Sequence, residues 1–221
     1  QGVVIAGGDM TGSPKHLVLS VTMLGEVEQG RALVRSSAKP GDVVFVTGAL
    51  GGSAAGLDYL LKQQRVNLSE TEQPAMAAKL VQIHRRPEPH VLAGRLLAQS
   101  GKRAALNDIS DGLASEAHEI AAASACGILL QEELIPVLPE AKAYANQSGG
   151  PLDDWVLFGG EEYVLLGTLS EADFGPMQQL FHEQGLQFVR IGSVSQDFQG
   201  VKLMKEQGKS CELEPGGYRH F

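Results

Sequence analysis

Residues 43–57 read VVFVTGALGGSAAGL, and the fold class turns on them. The opening run, VVFVTG (43–48), is continuous, apolar and of strand length, the composition expected in a sheet covered on both faces. The turn that follows, GALGGSAAG, leads into a helical segment reaching to about Gln64. A strand, a glycine turn and a helix mouth in that order can cradle an anion with free amides and the helix dipole. Small residues for close helix–strand packing explain the same letters equally well. The Gly-Lys-Ser/Thr ending of a Walker A loop is absent.

Outward from this stretch, strands and helices alternate. Upstream, AKPGD (38–42) is a Pro-Gly turn and LVLSVTMLG (17–25) has strand composition. Downstream, residues 65–74 read as a polar loop. Helices are expected near 75–85 and from 91 to about Ser100, with the punctuated HRRPEPH (84–90) between them. RAAL (103–106) reads as a strand, followed by a helix through Ala123, a strand at CGILLQ (126–131) and a helix over 139–148. VLFGGEEYVLLGTL (156–169) reads as a glycine turn feeding a strand. A helix at 171–184 and strands at 187–193 and 200–205 complete the pattern. The expected class is α/β (α+β), a mixed sheet with helices.

The composition bounds the function. The chain has 221 residues, 43% hydrophobic and 20% charged, with a formal net charge of −8, which describes an ordinary globular protein. That charge argues against a broad nucleic-acid or anionic-membrane footprint. No apolar run approaches bilayer length. The two cysteines, Cys126 and Cys211, have no metal-type spacing, and a reduced, cytoplasmic protein is expected. The first residue is Gln1, and GVVIAGGDM already has the look of a domain interior, so an N-terminal portion is expected to precede it.

Three further segments carry chemistry. In AGGDMTGS (6–13), two glycines and Asp9 form a turn that also has a plain conformational reading. In LNDISDGLASEAHEI (106–120), Asp108 ends a strand while Ser110 and Asp111 stand at the mouth of a helix. Those groups can cap the helix, or the two carboxylates can hold a cation, since Mg²⁺ takes one or two carboxylates together with phosphate oxygens and water. The carboxyl edge of an open α/β sheet is where ligands bind. In GGEEYVLL (159–166), the glycines expose Glu161, and Glu162 and Tyr163 are expected to alternate along a strand. His84, beside Arg85 and Arg86, reads as a solvated helix end; Trp155 reads as core or pocket wall; His118 has no evident partner.

Taken together, GGDMT (7–11), RSSAKPGD (35–42), TGALGGSAAGL (47–57), HRRPEP (84–89), DISDGLASE (108–116), GGEEY (159–163) and GYRHF (217–221) resemble, in order, the thiamine-monophosphate kinase family. That family belongs to the aminoimidazole-ribonucleotide synthetase-like superfamily. The resemblance implies ATP-dependent phosphorylation of thiamine monophosphate to thiamine diphosphate, with Mg²⁺ ions. It implies that Asp9, Asp108 and Asp111 hold metal, that Gly8, Asp9, Arg35 and Ser110 lie against ATP, and that Glu161 and Tyr218 contact the thiamine substrate. It implies small-molecule partners, no nucleic acid or membrane, and a homodimer. It divides the chain into 1–30, the tail of an N-terminal ATP/Mg-binding domain, and 31–221, a C-terminal α/β domain. The family's Gly-Gly-Asp-Thr is Gly-Gly-Asp-Met here, and its Gly-Gly-Glu-Asp-Tyr-Glu is GGEEYV. The alternatives are another ATP-using superfamily member (hydrogenase maturation, selenophosphate or purine synthesis) and a ligand-binding fragment without turnover.

Overall fold

The computed structural model describes residues 2–66, 75–206 and 208–217. Of the loop expected at 65–74, residues 65 and 66 instead close a helix, and 67–74 lie outside the described residues, as does Tyr218. Seven strands are described: β1 (Asp42–Val46), β2 (Ala104–Asp108), β3 (Gly127–Gln131), β4 (Leu165–Ser170), β5 (Val189–Ser195), β6 (Gly200–Met204) and β7 (Ser210–Glu212). They form one sheet in the order β2-β4-β1-β5-β3-β6-β7. All neighbours are antiparallel except β3 and β6, so the sheet is mixed. The α-helices are α1 (Gly52–Val66), α2 (Ala75–Arg85), α3 (Val91–Ser100), α4 (Leu113–Ser124), α5 (Pro139–Ser148), α6 (Leu152–Phe158) and α7 (Glu171–Glu183).

The stretch that opened the sequence reading takes its expected place. β1 lies between β4 and β5 and is buried along its whole length. Successive side chains of a strand face opposite ways, and β1 divides accordingly between two cores. Val44 and Val46 join the core formed by α4, α6, β3 and β5. Val43 and Phe45 join the core under α3 and α7, where Phe45 and Phe188 have ring centroids 4.2 Å apart. A run that is apolar on both faces is what this position requires. A third cluster joins α1, α2, α5 and α6 through Ala55, Leu80, Ala141, Tyr144 and Trp155. Trp155 stacks on Tyr144 at 5.6 Å, so it is core.

The edge of the sheet is fixed electrostatically. Asp42 is 3% exposed, and Arg103 grips it with two hydrogen bonds of 2.7 Å while also donating to the carbonyl of Ser37. The fork geometry of arginine matches a carboxylate bidentately, which is how a buried charge is kept satisfied.

Two expectations fail. LVLSVTMLG (17–25) forms no strand: Leu17, Leu19, Val21 and Leu24 are exposed. A β-prone sequence needs a partner strand to complete its hydrogen bonds, and the described residues offer none. The chain first engages the sheet domain at Glu28, which pairs with Arg95, and at Leu33, which packs in the second core. The second concerns α6: residues 156–158, expected to open the glycine turn, are helical. No helix among the described residues is long and apolar enough to cross a membrane.

Candidate functional site

The site is built from two loops that cross back to back. β2 ends at the exposed Asp108, Ile109 plugs into the core, and Ser110, Asp111 and Gly112 lead into α4. Across from it run Gly159–Tyr163. The amide of Glu161 donates to the Ser110 carbonyl at 2.8 Å, and those of Glu162 and Tyr163 donate to the Ile109 carbonyl at 3.2 and 2.9 Å. Glycine makes the crossing possible at two places. A Cβ on Gly160 would stand 2.5 Å from the Ser110 carbonyl oxygen, and one on Gly112, where φ is 110°, would stand 2.9 Å from the Phe158 backbone.

This geometry corrects the capping reading of Ser110 and Asp111. The N-cap of α4 is Gly112, with no side-chain cap bond. The bonding runs the other way: Glu116, one turn into the helix, reaches back to accept from the Ser110 hydroxyl and the Asp111 amide, both at 3.2 Å. Glu116 is buried, and burial raises its pKa against the pull of those donors. Asn107 donates to Glu116 and, at 3.2 Å, to Glu119, whose carboxylate pairs with Arg35 at 2.9 Å. Arg35 is thereby tied, through Glu119 and Asn107, to the loop that carries Ser110 and Asp111.

The strand expected from Glu162 onward begins instead at Leu165, because Glu161 and Tyr163 both adopt left-handed backbone with φ of 64° and 53°. Non-glycine residues in that region cost about 1–3 kcal/mol each and persist where surrounding bonds over-determine them. Glu161 lines a cleft of about 570 Å³ together with Ser53, Leu57, His84, Ser110 and Asp111. Tyr163 stands near three acids. Burial raises its phenol pKa, and the charges of Glu161, Asp108 and Asp111 raise it further.

Glu162 turns the opposite way. Its carboxylate accepts from the amides of Gly51 (2.9 Å) and Ser53 (3.1 Å) at the mouth of α1. The glycine-rich turn does cradle an anion, but that anion belongs to the protein. Burial pushes the Glu162 pKa up to about 7, opposed by the amides of Ser53, Gly51 and Gly52. His84 is also reassigned: it is half-buried on the cleft wall, with Nδ1 3.0 Å from the Ser53 hydroxyl. His118 has a partner too, with Nε2 2.6 Å from the Leu213 carbonyl.

Of the residues singled out in the sequence, the structure brings together Asp108, Ser110, Asp111 and Glu161, with Arg35 linked through Glu119. Gly8 and Asp9 are exposed in the segment that precedes the sheet, where the Asp9 carboxylate accepts from the Met10 amide at 2.8 Å. Among the described residues no three His, Cys, Asp or Glu side chains form a ready metal cage. Two carboxylates beside a cleft, with the remaining positions open, suit Mg²⁺, which keeps water and takes phosphate oxygens. Sequence reading missed the roles of Glu116, Glu119, Glu162 and His84. Only Glu116 left a signal, as a glutamate one turn inside the DISDGLASE helix.

Fold and site together define an α/β domain with a mixed sheet and an acidic cleft at the end of β2, and comparison with known proteins places it. Residues 39–203 match the family described as AIR synthase related protein, C-terminal domain, and the chain belongs to that family. It is 41% identical over 218 residues to the thiamine-monophosphate kinase of Bacillus subtilis (strain 168), covering 98% of this chain and 64% of the relative. It is 36% identical to that of Salmonella typhimurium, covering 98% of this chain and 63% of the relative. Thus the chain spans a little under two thirds of the length of these curated relatives. Among solved structures, AaThiL complexed with AMPPCP and TMP aligns with a TM-score of 0.69 and 34% identity, covering 86% of this chain and 54% of that one. A hydrogenase maturation protein, HypE of E. coli, aligns at 0.61 and 22% identity over 85% of this chain and 54% of that one, a likeness of fold alone.

Proposed function

We propose that this chain carries the acceptor-binding part of an enzyme that moves the γ-phosphoryl group of ATP onto the phosphate of thiamine monophosphate, giving thiamine diphosphate. The observation that carries the reading is the crossing of the two loops, which puts Ser110 and Asp111 on the same cleft as Glu161. The similarity to thiamine-monophosphate kinases, and to a structure holding an ATP analogue and TMP, supports it.

The attacking oxygen is a phosphate oxygen and already anionic, so the chemistry asks for position and charge neutralisation, not for a strong base. Asp108 and Asp111 would hold Mg²⁺, with Asp9 supplying a further carboxylate. Bound there, Mg²⁺ lowers the repulsion between two polyanions and steadies the charge spreading over the transferred group. Ser110 and Gly8 would lie against the nucleotide, and Arg35, released from Glu119, would meet its phosphates. Glu161 would accept hydrogen bonds from the aminopyrimidine, and the family resemblance assigns Tyr218 to the thiamine substrate, where a cation–π contact with the thiazolium would be worth about 0.5–2 kcal/mol. Residues 1–30 would belong to a neighbouring ATP/Mg-binding domain and 31–221 to this one, in a cytoplasmic homodimer.

The test is chromatographic detection of thiamine diphosphate from ATP, Mg²⁺ and thiamine monophosphate, on the full-length protein and on residues 1–221 alone. Product from the full-length protein, lowered about a hundredfold or more by Asp111→Asn, is the expected result. Binding of thiamine monophosphate by residues 1–221 without product would mark them as a ligand-binding piece. No product from the full-length protein would sink the reading in favour of a relative with another acceptor.

A further inference from the structure

The two glutamates of GGEEY divide their labour. Glu161 faces the cleft, while Glu162 is 8% exposed and ends on the amides of Gly51 and Ser53. Amides at the start of a helix are strong donors to a carboxylate because they have no partner within the helix. The residues on either side of Glu162 are the two held at positive φ, 64° and 53°. Such backbone relaxes unless it is pinned from more than one direction. One pin is the set of bonds from the amides of Glu161, Glu162 and Tyr163 to the DISDG loop. A second is the amide of His90, which donates to the Tyr163 carbonyl at 3.3 Å, and a third is the Glu162 side chain, which reaches across 109 residues of sequence to Ser53. Remove it and the turn keeps its backbone bonds but loses its one side-chain anchor, leaving Glu161 free to return to ordinary backbone and swing its carboxylate away from Ser110 and Asp111.

We propose that Glu162 is a positioning residue for Glu161: anchored in the mouth of α1, it locks the left-handed turn that points the Glu161 carboxylate into the acceptor cleft. The proposal rests on the reading of that cleft as the thiamine monophosphate site. Glu162 acts on the acceptor only through Glu161 and has no part in binding ATP.

Four variants of the full-length enzyme test this: Glu162→Leu, Glu162→Gln, Glu161→Gln and the double variant Glu161→Gln/Glu162→Leu. Glu162→Leu is expected to raise KM for thiamine monophosphate about tenfold and to leave KM for ATP within about twofold. Glu162→Gln keeps an acceptor oxygen for the amides and is expected to stay within about threefold of wild type. The double variant is expected to be no worse than Glu161→Gln alone, because the anchor has nothing left to aim. Equal rises in both KM values, no rise at all, or effects that multiply fully in the double variant would overturn the proposal. If Glu162→Leu fails to fold, Glu162→Asp, shorter by a methylene, takes its place with the same expectations. Amide exchange separates this failure from failure of the functional reading. If wild type makes no thiamine diphosphate, faster exchange at 161–163 in the Glu162 variant, with β1 unchanged, still upholds the anchor, and unchanged exchange refutes it.

Discussion

LVLSVTMLG (17–25) and VVFVTG (43–48) have nearly the same β-prone composition and opposite fates. The second is a buried interior strand of a seven-stranded sheet; the first forms no strand, with Leu19 81% exposed. The difference is partnership. β1 has β4 on one side and β5 on the other, and each of its faces meets a helix-covered core. Strand propensity reports how well a side chain fits a pleated, half-buried surface, so without that surface it has nothing to act on.

The comparison can be broken most forcefully at matched positions. Phe45→Ala should cost this chain about 3–5 kcal/mol in urea unfolding, from lost burial and the cavity left among Phe174, Phe181 and Phe188. Leu19→Ala should change it by less than about 0.5 kcal/mol. Comparable losses at the two sites would mean that the 17–25 segment is packed after all. Next in size, Arg103→Ala strands the Asp42 carboxylate at 3% exposure and should cost about 3 kcal/mol, with Arg103→Lys recovering part of it.

A smaller effect separates the sheet domain from the preceding segment by pH. Glu162 titrates near pH 7 in the folded state against an ordinary 4.5. An acid whose pKa rises on folding stabilises the fold fully below the lower value, and that stability is lost as pH climbs through the higher one. Stability, and melting temperature with it, should therefore fall between about pH 4.5 and 7, by roughly 3 kcal/mol at most. Glu162→Gln should flatten that part of the profile, and a profile identical to wild type would refute the assignment. The smallest change is expected where the two regions first touch. Glu28 and Arg95 form an exposed pair, and Arg95→Ala should move the melting temperature by no more than about 1 °C.

Much of the site was legible as letters and little of it as geometry. DISDG and GGEEY stood out because aspartate, glutamate and glycine at turn positions have few other uses. Their 50-residue separation hid the bonds from Glu161, Glu162 and Tyr163 to Ile109 and Ser110. Ser110 and Asp111 looked like helix caps from local spacing, a role excluded by the backbone of Gly112 and by Glu116 reaching back from α4. His84 looked solvated because a neighbouring pair of arginines dominates its local sequence, whereas its partner Ser53 is 31 residues away.

By itself the sequence determined the class of fold: the continuous apolar strand, the alternation of strands with helices, and the glycines that let two loops cross. Those are short-range properties of side-chain shape and backbone freedom, and they survive without knowledge of neighbours. Which of two adjacent glutamates faces the cleft, which anion fills the mouth of α1, and which β-prone segment becomes a strand were decided only in three dimensions. Each depends on a hydrogen-bond donor or a buried surface supplied from a distant part of the chain.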